Sequence, residues 1–316
     1  MKRILITGAA GFIGSHLAGA LLDSGYELLA VDNLSTGSIK NIKEFSDNSR
    51  FHFLEADVQS EKLASELSLY QPEQVVHLAG QMNVRKSVED PLFDALQNIM
   101  ATLFLLEKCD RVNCRRFVFS STGGAIYGEQ EVFPAAENHK VMPECPYGVS
   151  KRCAELYLEY YATKKDFGIT SLRFGNVYGP RQNPKGEAGV VSIFISQLNS
   201  GLSLSINGDG TQTRDFIYVS DIVRAIELVL NSGQDGYRCF NLGTGIETSV
   251  ISIAEHLRDI AVESDSSRKV YFDYRPKASG EQIRSLLDAG SFSKEFKWKP
   301  LVSLRDGLIR TFLYKV

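Results

Sequence analysis

Tyr147 and Lys151 stand four residues apart in Tyr147-Gly-Val-Ser-Lys151, so on a helix they share one face. An ammonium beside a phenol favours the phenolate, which lets Tyr147 titrate well below the free value of about 10. That phenolate is a base able to take a proton from a hydroxyl. A second group, Gly8-Ala-Ala-Gly11-Phe12-Ile13-Gly14, offers bare backbone to a pyrophosphate at the start of a helix. A base beside a dinucleotide implies redox chemistry at a carbinol carbon.

These groups need rigid elements behind them. Arg3–Thr7 reads as a strand running into the glycine loop, and Phe12–Asp23 has helical periodicity ending near Gly25. Further apolar strands are expected at Leu28–Asp32, Phe51–Glu55, Gln74–Leu78, Arg116–Ser120 and Thr170–Phe174, with helical stretches between them. The helix carrying Tyr147 and Lys151 is expected to run to about Lys165. Strands alternating with helices predict an α/β fold with a doubly wound parallel sheet, the Rossmann arrangement. After Asn176 the pattern changes, and Gly179, Pro180, Pro184, Gly186 and Gly189 crowd together. Residues 1–176 are therefore read as the dinucleotide-binding domain and 177–316 as a smaller C-terminal substrate-binding portion. Phe216–Asn231 and Arg238–Leu242 are placed to return to the main sheet.

Asp32 ends the second strand, 18 residues after Gly14. A carboxylate there accepts from ribose hydroxyls and repels a 2′-phosphate, so NAD is expected rather than NADP. Phe12 and Ile13 of the loop and Asn33 beside Asp32 join the candidate cofactor set.

Composition narrows the class. The chain has 316 residues, 43% hydrophobic and 23% charged, with a net charge of −3. No basic field invites nucleic acid, and no apolar run approaches the roughly 20 residues that cross a bilayer. The segment Met1–Gly8 reads as a first strand and not as a signal peptide. Cys109, Cys114, Cys145, Cys153 and Cys239 form no CxxC pair, which suits reduced thiols in a cytoplasmic protein. The five histidines lack ligand spacing, so no metal is expected.

Ser120-Ser121-Thr122-Gly-Gly-Ala-Ile-Tyr127-Gly128 closes an apolar strand and puts hydroxyls at the ligand end of the sheet. With Tyr147 and Lys151, this arrangement resembles the extended short-chain dehydrogenase/reductase family, in particular its nucleotide-sugar epimerases. The likeness runs through Gly8–Gly14, Asp57-Val58, His77-Leu78-Ala79-Gly80, Asn98, Ser120–Gly128, Tyr147–Lys151, Arg173–Arg181, Arg214–Tyr218 and Gly280-Glu281.

The resemblance implies roles. Tyr147 would be the acid/base, with Lys151 lowering its pKa and holding the nicotinamide ribose. Thr122 or Ser121 would hydrogen-bond the reacting sugar oxygen. The turn Gly123-Gly124 is one residue longer than the usual family spacing, which leaves both hydroxyls open. Asp57 and Val58 would contact adenine, Leu78, Ala79 and Gly80 would line the cofactor, and Asn98 would pack near the active-site strand. Ala101 stands where the family often has glycine.

The implied reaction is C4 epimerisation of a UDP-hexose, the alternative being a UDP-glucuronate 4-epimerase or another nucleotide-sugar dehydratase or reductase of the same family. The sugar loses a proton from its C4 hydroxyl and a hydride from C4, turns as a 4-keto sugar, and takes hydride back on the other face. On the nucleotide-sugar side the likeness assigns Asn176, Arg214 and Arg275 to the phosphates and Val190 to the uracil. Dehydratases of the family carry an Asp-Glu pair where this chain has Gly123-Gly124, and decarboxylases need a comparable acid there. Glucuronate epimerases tend to have a basic residue after Pro-Arg-Gln, where this chain has Asn183. Ser285, aligned on Gly280-Glu281, replaces a large tyrosine and makes room for an N-acetyl group. A homodimer is expected through helices near Pro91–Asp110 and Ala154–Lys165.

Overall fold

The runs Arg3-Ile-Leu-Ile-Thr7 and Glu27-Leu-Leu-Ala-Val-Asp32 are apolar on successive residues, so these strands must be covered on both faces. In the computed structural model, which describes residues 2–112, 114–164, 167–185, 189–233, 235–277 and 282–314, they are. Strands β1 (Arg3–Thr7), β2 (Glu27–Asp32), β3 (Phe51–Glu55), β4 (Gln74–His77), β5 (Arg116–Thr122) and β6 (Gly168–Phe174) lie in one parallel sheet. Strand β7 (Asn176–Tyr178), β8 (Leu204–Asn207) and β9 (Thr213–Tyr218) leave it, and β10 (Tyr237–Leu242) rejoins it along β6. The strand order is β10-β6-β5-β4-β1-β2-β3. Order reverses between β1 and β4, which places the ligand crevice at their carboxyl ends.

Helices α1 (Phe12–Asp23), α2 (Glu61–Tyr70), α3 (Val84–Glu89), α4 (Pro91–Ala95), α5 (Ala101–Arg111), α6 (Gly123–Ile126) and α7 (Pro146–Lys164) connect the strands up to β6. A π turn, Leu96–Met100, joins α4 to α5. The expected C-terminal residue of α7, Lys165, lies outside the described residues, as do Gly186 and the Gly280-Glu281 pair. Alternation in β1 splits the core in two. Ile4 and Ile6 pack with Leu17, Leu21, Val76 and Val118 on one face, while Leu5 packs with Leu63, Val75, Leu105, Phe117 and Leu158 on the other. The sheet is a doubly wound α/β structure.

After β7 come α8 (Val190–Asn199), α9 (Val219–Asn231), strand β11 (Glu247–Ser249), α10 (Val250–Ser264), strand β12 (Phe272–Arg275), α11 (Gly290–Phe296) and α12 (Leu304–Leu313). They build two small sheets, β11-β9-β7 and β12-β8. Phe216 sits in the first of these. Helix α9 returns to α1, where Tyr26 donates from its hydroxyl to Asn231 at 2.7 Å and Ser24 donates to Glu227 at 3.1 Å.

Candidate active site

The cofactor cradle is built by backbone proximity. Gly8 has φ +71°, and a Cβ there would stand 2.8 Å from the Ala79 nitrogen. A Cβ on Gly14 would stand 2.1 Å from the Gly8 carbonyl oxygen, so only glycine lets α1 close on the loop. Gly11 caps α1 without a side-chain bond, and no acid sits in the first turn. The N–H groups of Phe12 and Ile13 thus have no carbonyl one turn back and face incoming negative charge. The Phe12 ring itself is buried and lies 3.3 Å from where a Gly179 Cβ would be. It packs toward the substrate side, and its backbone is what the phosphate can use.

Asp32 is buried at the end of β2, accepting from Ala10 N–H at 2.9 Å and Leu34 N–H at 2.8 Å. Burial pushes its carboxyl pKa up, against those two donors and the Gly11 N–H. Beyond it Asn33 donates to Asp57 at 2.9 Å, and Asp57 accepts from Gln59 N–H at 2.9 Å. Val58 is buried beside them. Leu78 and Ala79 are half-buried and Gly80 is exposed. A Cβ on Gly80 would lie 2.6 Å from Asn98 Oδ1 and 3.5 Å from Lys151 Nζ, so these three converge on one spot. Asn98 sits in the π turn, a helical irregularity common at functional sites. Its amide nitrogen donates to the Gln81 carbonyl at 2.9 Å and to Asp94 at 3.0 Å. Its Oδ1 is buried with no partner among the described residues. It is an acceptor left for a donor from outside the chain.

The glycine cradle, the buried Asp32 and the orphaned Asn98 oxygen together fit a dinucleotide of the NAD type.

Tyr147 and Lys151 occupy the first turns of α7. Lys151 is 5% exposed, donates to the Ser120 carbonyl at 2.9 Å and lies 5.9 Å from the Tyr147 ring centroid. Burial lowers its pKa to about 8, with the charges of Asp94 and Glu155 opposing the fall. Tyr147 is half-buried. Gly148, next in sequence, explains its placement: a Cβ there would stand 2.5 Å from the Ala125 carbonyl oxygen. Helix α7 can approach α6, and the turn after Thr122, only because that position is glycine.

The two candidate hydroxyls differ. Thr122 caps α6 by accepting from Ala125 N–H at 3.2 Å, which leaves its own O–H free to donate. Ser121 donates to Glu155 at 2.7 Å. Glu155 is fully buried and takes a bidentate pair from Arg173, at 2.9 and 2.7 Å. Those bonds raise the already basic guanidinium further, against the cost of burying it. Arg173 also donates to the Tyr127 hydroxyl at 2.9 Å, and Tyr127 donates to Asn241 at 2.7 Å. The network locks α7, β5, β6 and β10 behind the site. Sequence reasoning missed Glu155, although Tyr147, Lys151 and Glu155 recur every four residues on one face. Gln81 and Asp94 were missed too, and thirteen residues of separation gave no signal for their 2.7 Å contact.

Of the nucleotide-sugar candidates, Asn176, Arg214 and Arg275 lie on strands of the two small sheets. Asn176 begins β7, and its Oδ1 lies 3.7 Å from where a Gly124 Cβ would be. Val190 opens α8 behind Gly189. Arg214 lies on β9 opposite Thr248, and Arg275 ends β12 opposite Asn207, so the two flank the 208–212 turn. Arg275 is exposed and pairs with Asp273 at 3.2 Å. Ser285 is 1% exposed and donates its N–H to the Thr213 carbonyl at 3.2 Å. Asp215 accepts from Leu287 N–H at 3.3 Å, and the Leu287 side chain rests where a Gly123 Cβ would be, at 2.4 Å. The Ser285–Leu287 segment is thereby held against the Thr122 turn. Among the described residues no cluster of three or more His, Cys, Asp or Glu is placed to hold a metal.

Residues 4–243 match the NAD dependent epimerase/dehydratase family. The chain belongs to that family. It is 40% identical over 307 residues to a putative UDP-glucose 4-epimerase of Methanocaldococcus jannaschii, covering 97% of this chain and 96% of the relative. It is 37% identical to a UDP-glucose 4-epimerase of Mycolicibacterium smegmatis, covering 98% and 97%. Among solved structures it is similar to the UDP-glucose 4-epimerase of Thermotoga maritima with UDP-glucose. There the TM-score is 0.90 at 42% identity, over 98% of this chain and 97% of that one. For members of this family NAD is the expected occupant of the Gly8–Gly14 cradle.

Proposed function

We propose that this chain is an NAD-dependent 4-epimerase of UDP-hexoses, acting through a transient 4-keto sugar. The observation that carries the reading is the Tyr147–Lys151 pair on α7. The Lys151 ammonium lies 5.9 Å from the Tyr147 ring and beside Gly80, and the Gly148–Ala125 approach holds α7 against the turn after Thr122. The names of the similar epimerases support the same reaction.

Bound NAD supplies a hydride acceptor at C4 and then a donor to the opposite face. Tyr147 takes the proton from the sugar O4 and returns it after the turn. The Lys151 ammonium favours the tyrosinate and reaches the cofactor ribose. Thr122 is the better hydroxyl to donate to O4, because Ser121 already donates its hydrogen to Glu155. Phe12 and Ile13 N–H groups, with Gly8, Gly11 and Gly14, take the pyrophosphate. Asp32 takes the adenosine ribose, and Asn33, Asp57 and Val58 border the adenine. Leu78, Ala79, Gly80 and Asn98 line the inner end. Asn176, Arg214 and Arg275 hold the substrate phosphates, with Val190 over the uracil. A small Ser285, in the segment that Leu287 pins to Gly123, admits an N-acetyl group at C2. The alternative sugars are UDP-N-acetylglucosamine and UDP-glucuronate.

The test is to incubate the protein with UDP-glucose, UDP-N-acetylglucosamine and UDP-glucuronate separately, without added NADH, and follow anomeric protons by NMR. A C4 epimer from any of them supports the reaction and names the sugar. Failure with all three, in protein shown to hold NAD, would sink it.

A homodimer fits the same reading. Leu92, Leu96 and Met100 recur every four residues and are exposed, and Leu156, Tyr157 and Tyr160 on α7 are exposed too. These helices pack on each other and together offer a surface to a second copy. Sedimentation as a monomer at micromolar concentration would rule that out. All five cysteines are free thiols, which suits work in a reducing cytoplasm.

A further inference from the structure

His77 takes no part in the reaction above, yet it is 1% exposed at the carboxyl end of β4 and both ring nitrogens are engaged. Its Nδ1 lies 2.7 Å from Thr7 Oγ1, and its Nε2 lies 3.2 Å from Thr102 Oγ1. Direction follows from what each partner can give. Thr102 donates to the Asn98 carbonyl at 2.7 Å. A carbonyl only accepts, so the Thr102 hydrogen is spent and its oxygen must accept from Nε2–H. Nδ1 is then bare and accepts from the Thr7 hydroxyl. Thr7 Oγ1 in turn accepts from Ala79 N–H at 3.3 Å. One proton arrangement satisfies every member, and it requires the neutral Nε2–H imidazole. Burial, with the Lys151 charge adding to it, lowers the His77 pKa to about 3 and keeps the ring in that form.

The two ends of this chain are informative. One is the backbone of Ala79, adjoining Gly80. The other is the carbonyl of Asn98 in the π turn, whose side-chain oxygen faces Gly80 and Lys151. Both ends therefore reach the inner end of the cofactor site. We propose that His77 is a positioning residue that fixes the Ala79-Gly80 backbone and the Asn98 turn relative to each other, so that both present to the cofactor as one unit. The proposal rests on the reading that NAD occupies this site. The bland account is that His77 fills space between Phe117 and Phe119, whose rings lie 5.8 and 5.9 Å away.

Three measurements separate these accounts. The first uses wild-type protein labelled with 15N at histidine: in a long-range nitrogen–proton spectrum the histidine whose signals vanish in His77→Phe should appear as Nε2–H with bare Nδ1, unchanged between pH 5 and 8. Its appearance as Nδ1–H or imidazolium would overturn the proton arrangement. The second measures NAD affinity of nucleotide-stripped protein by calorimetry. His77→Phe keeps the ring packing and should weaken NAD at least tenfold, and His77→Gln, which keeps a donor toward Thr102, should recover much of the loss. The third is Thr102→Val, isosteric and on α5, which should weaken NAD about fivefold, with the double variant no worse than His77→Phe alone. NAD affinity within twofold of wild type in His77→Phe would leave the ring as filler. Additive losses in the double variant would break the chain into unrelated contacts. Failure of wild-type protein to bind NAD at all would instead remove the cofactor reading.

Discussion

The two sides of the crevice hold their ligand groups in different ways. On the cofactor side, Asp32, Asn98 and Lys151 are buried and each is already bonded to backbone or to a buried neighbour. On the side proposed above for the nucleotide sugar, Arg275 is 58% exposed and pairs with Asp273, itself 52% exposed. The first is a preformed site, in which little ordering remains to be done when a ligand arrives. The second includes Arg275, a long exposed side chain that a ligand would have to order. An epimerase whose hexose has to turn over between two hydride transfers needs this division. One partner must stay fixed, and the other is gripped at its diphosphate while the sugar is left free.

The largest effect expected on the fixed side comes from Tyr147→Phe. It removes the proton acceptor and leaves the cradle intact, so turnover should fall about 10³-fold or more while NAD content stays that of wild type. Near-normal turnover in that variant would mean that another group is the base.

Next comes the cost of burying Lys151. Its pKa is lowered from 10.5 to about 8 by desolvation, which corresponds to about 3 kcal/mol. Between those values the unfolded chain carries the proton and the folded chain does not, so unfolding free energy rises with pH across that window. Below pH 8 both states are protonated and the full penalty is present. In nucleotide-free protein, wild type should gain up to about 3 kcal/mol on Lys151→Met between pH 8 and 10.5. Denaturant melts at four pH values would check this, and parallel curves would show that the lysine is not desolvated.

How much of this was legible in the sequence depends on the range of the cause. The cradle and Asp32 could be read because strand, glycine loop and helix are contiguous, and local backbone sterics dictate them. The strands Arg3–Thr7 and Leu28–Asp32, alternating with helical stretches, announced the parallel sheet for the same reason. Glu155, Gln81 and Asp94 were not read, because their meaning lies in partners distant in sequence: Arg173 is 18 residues from Glu155 and Ser121 is 34, and Gln81 is 13 from Asp94. The path after Asn176 was harder still. Strand β10 rejoins the main sheet beside β6, while Phe216 lies in β9 of a small sheet, and no periodicity distinguishes those destinations.

Gly148→Ala probes the join between the two sides. A Cβ 2.5 Å from the Ala125 oxygen forces α7 away from the Thr122 turn, and misplacement of about 1 Å costs about 10²-fold. Turnover should drop by about that factor with NAD still held. Gly233→Ala, where a Cβ meets nothing within 4 Å, is the control and should match wild type.

The smallest effect belongs to the adaptable side. Arg275→Ala should raise KM for the UDP-sugar about tenfold and leave kcat within about twofold, because a phosphate contact made equally in ground and transition states is uniform binding. Since this charge is exposed, its contribution is screened by salt. Wild-type KM should climb with ionic strength more steeply than that of the variant. Arg275→Lys should fall between them, as it keeps the charge and loses the two-pronged fork that matches a phosphate. A drop in kcat with KM unchanged would place Arg275 among the fixed, transition-state contacts and erase the distinction drawn between the two sides. Loss of bound NAD in the same variant would do so more directly, since nothing on β12 reaches the glycine cradle if the division is correct.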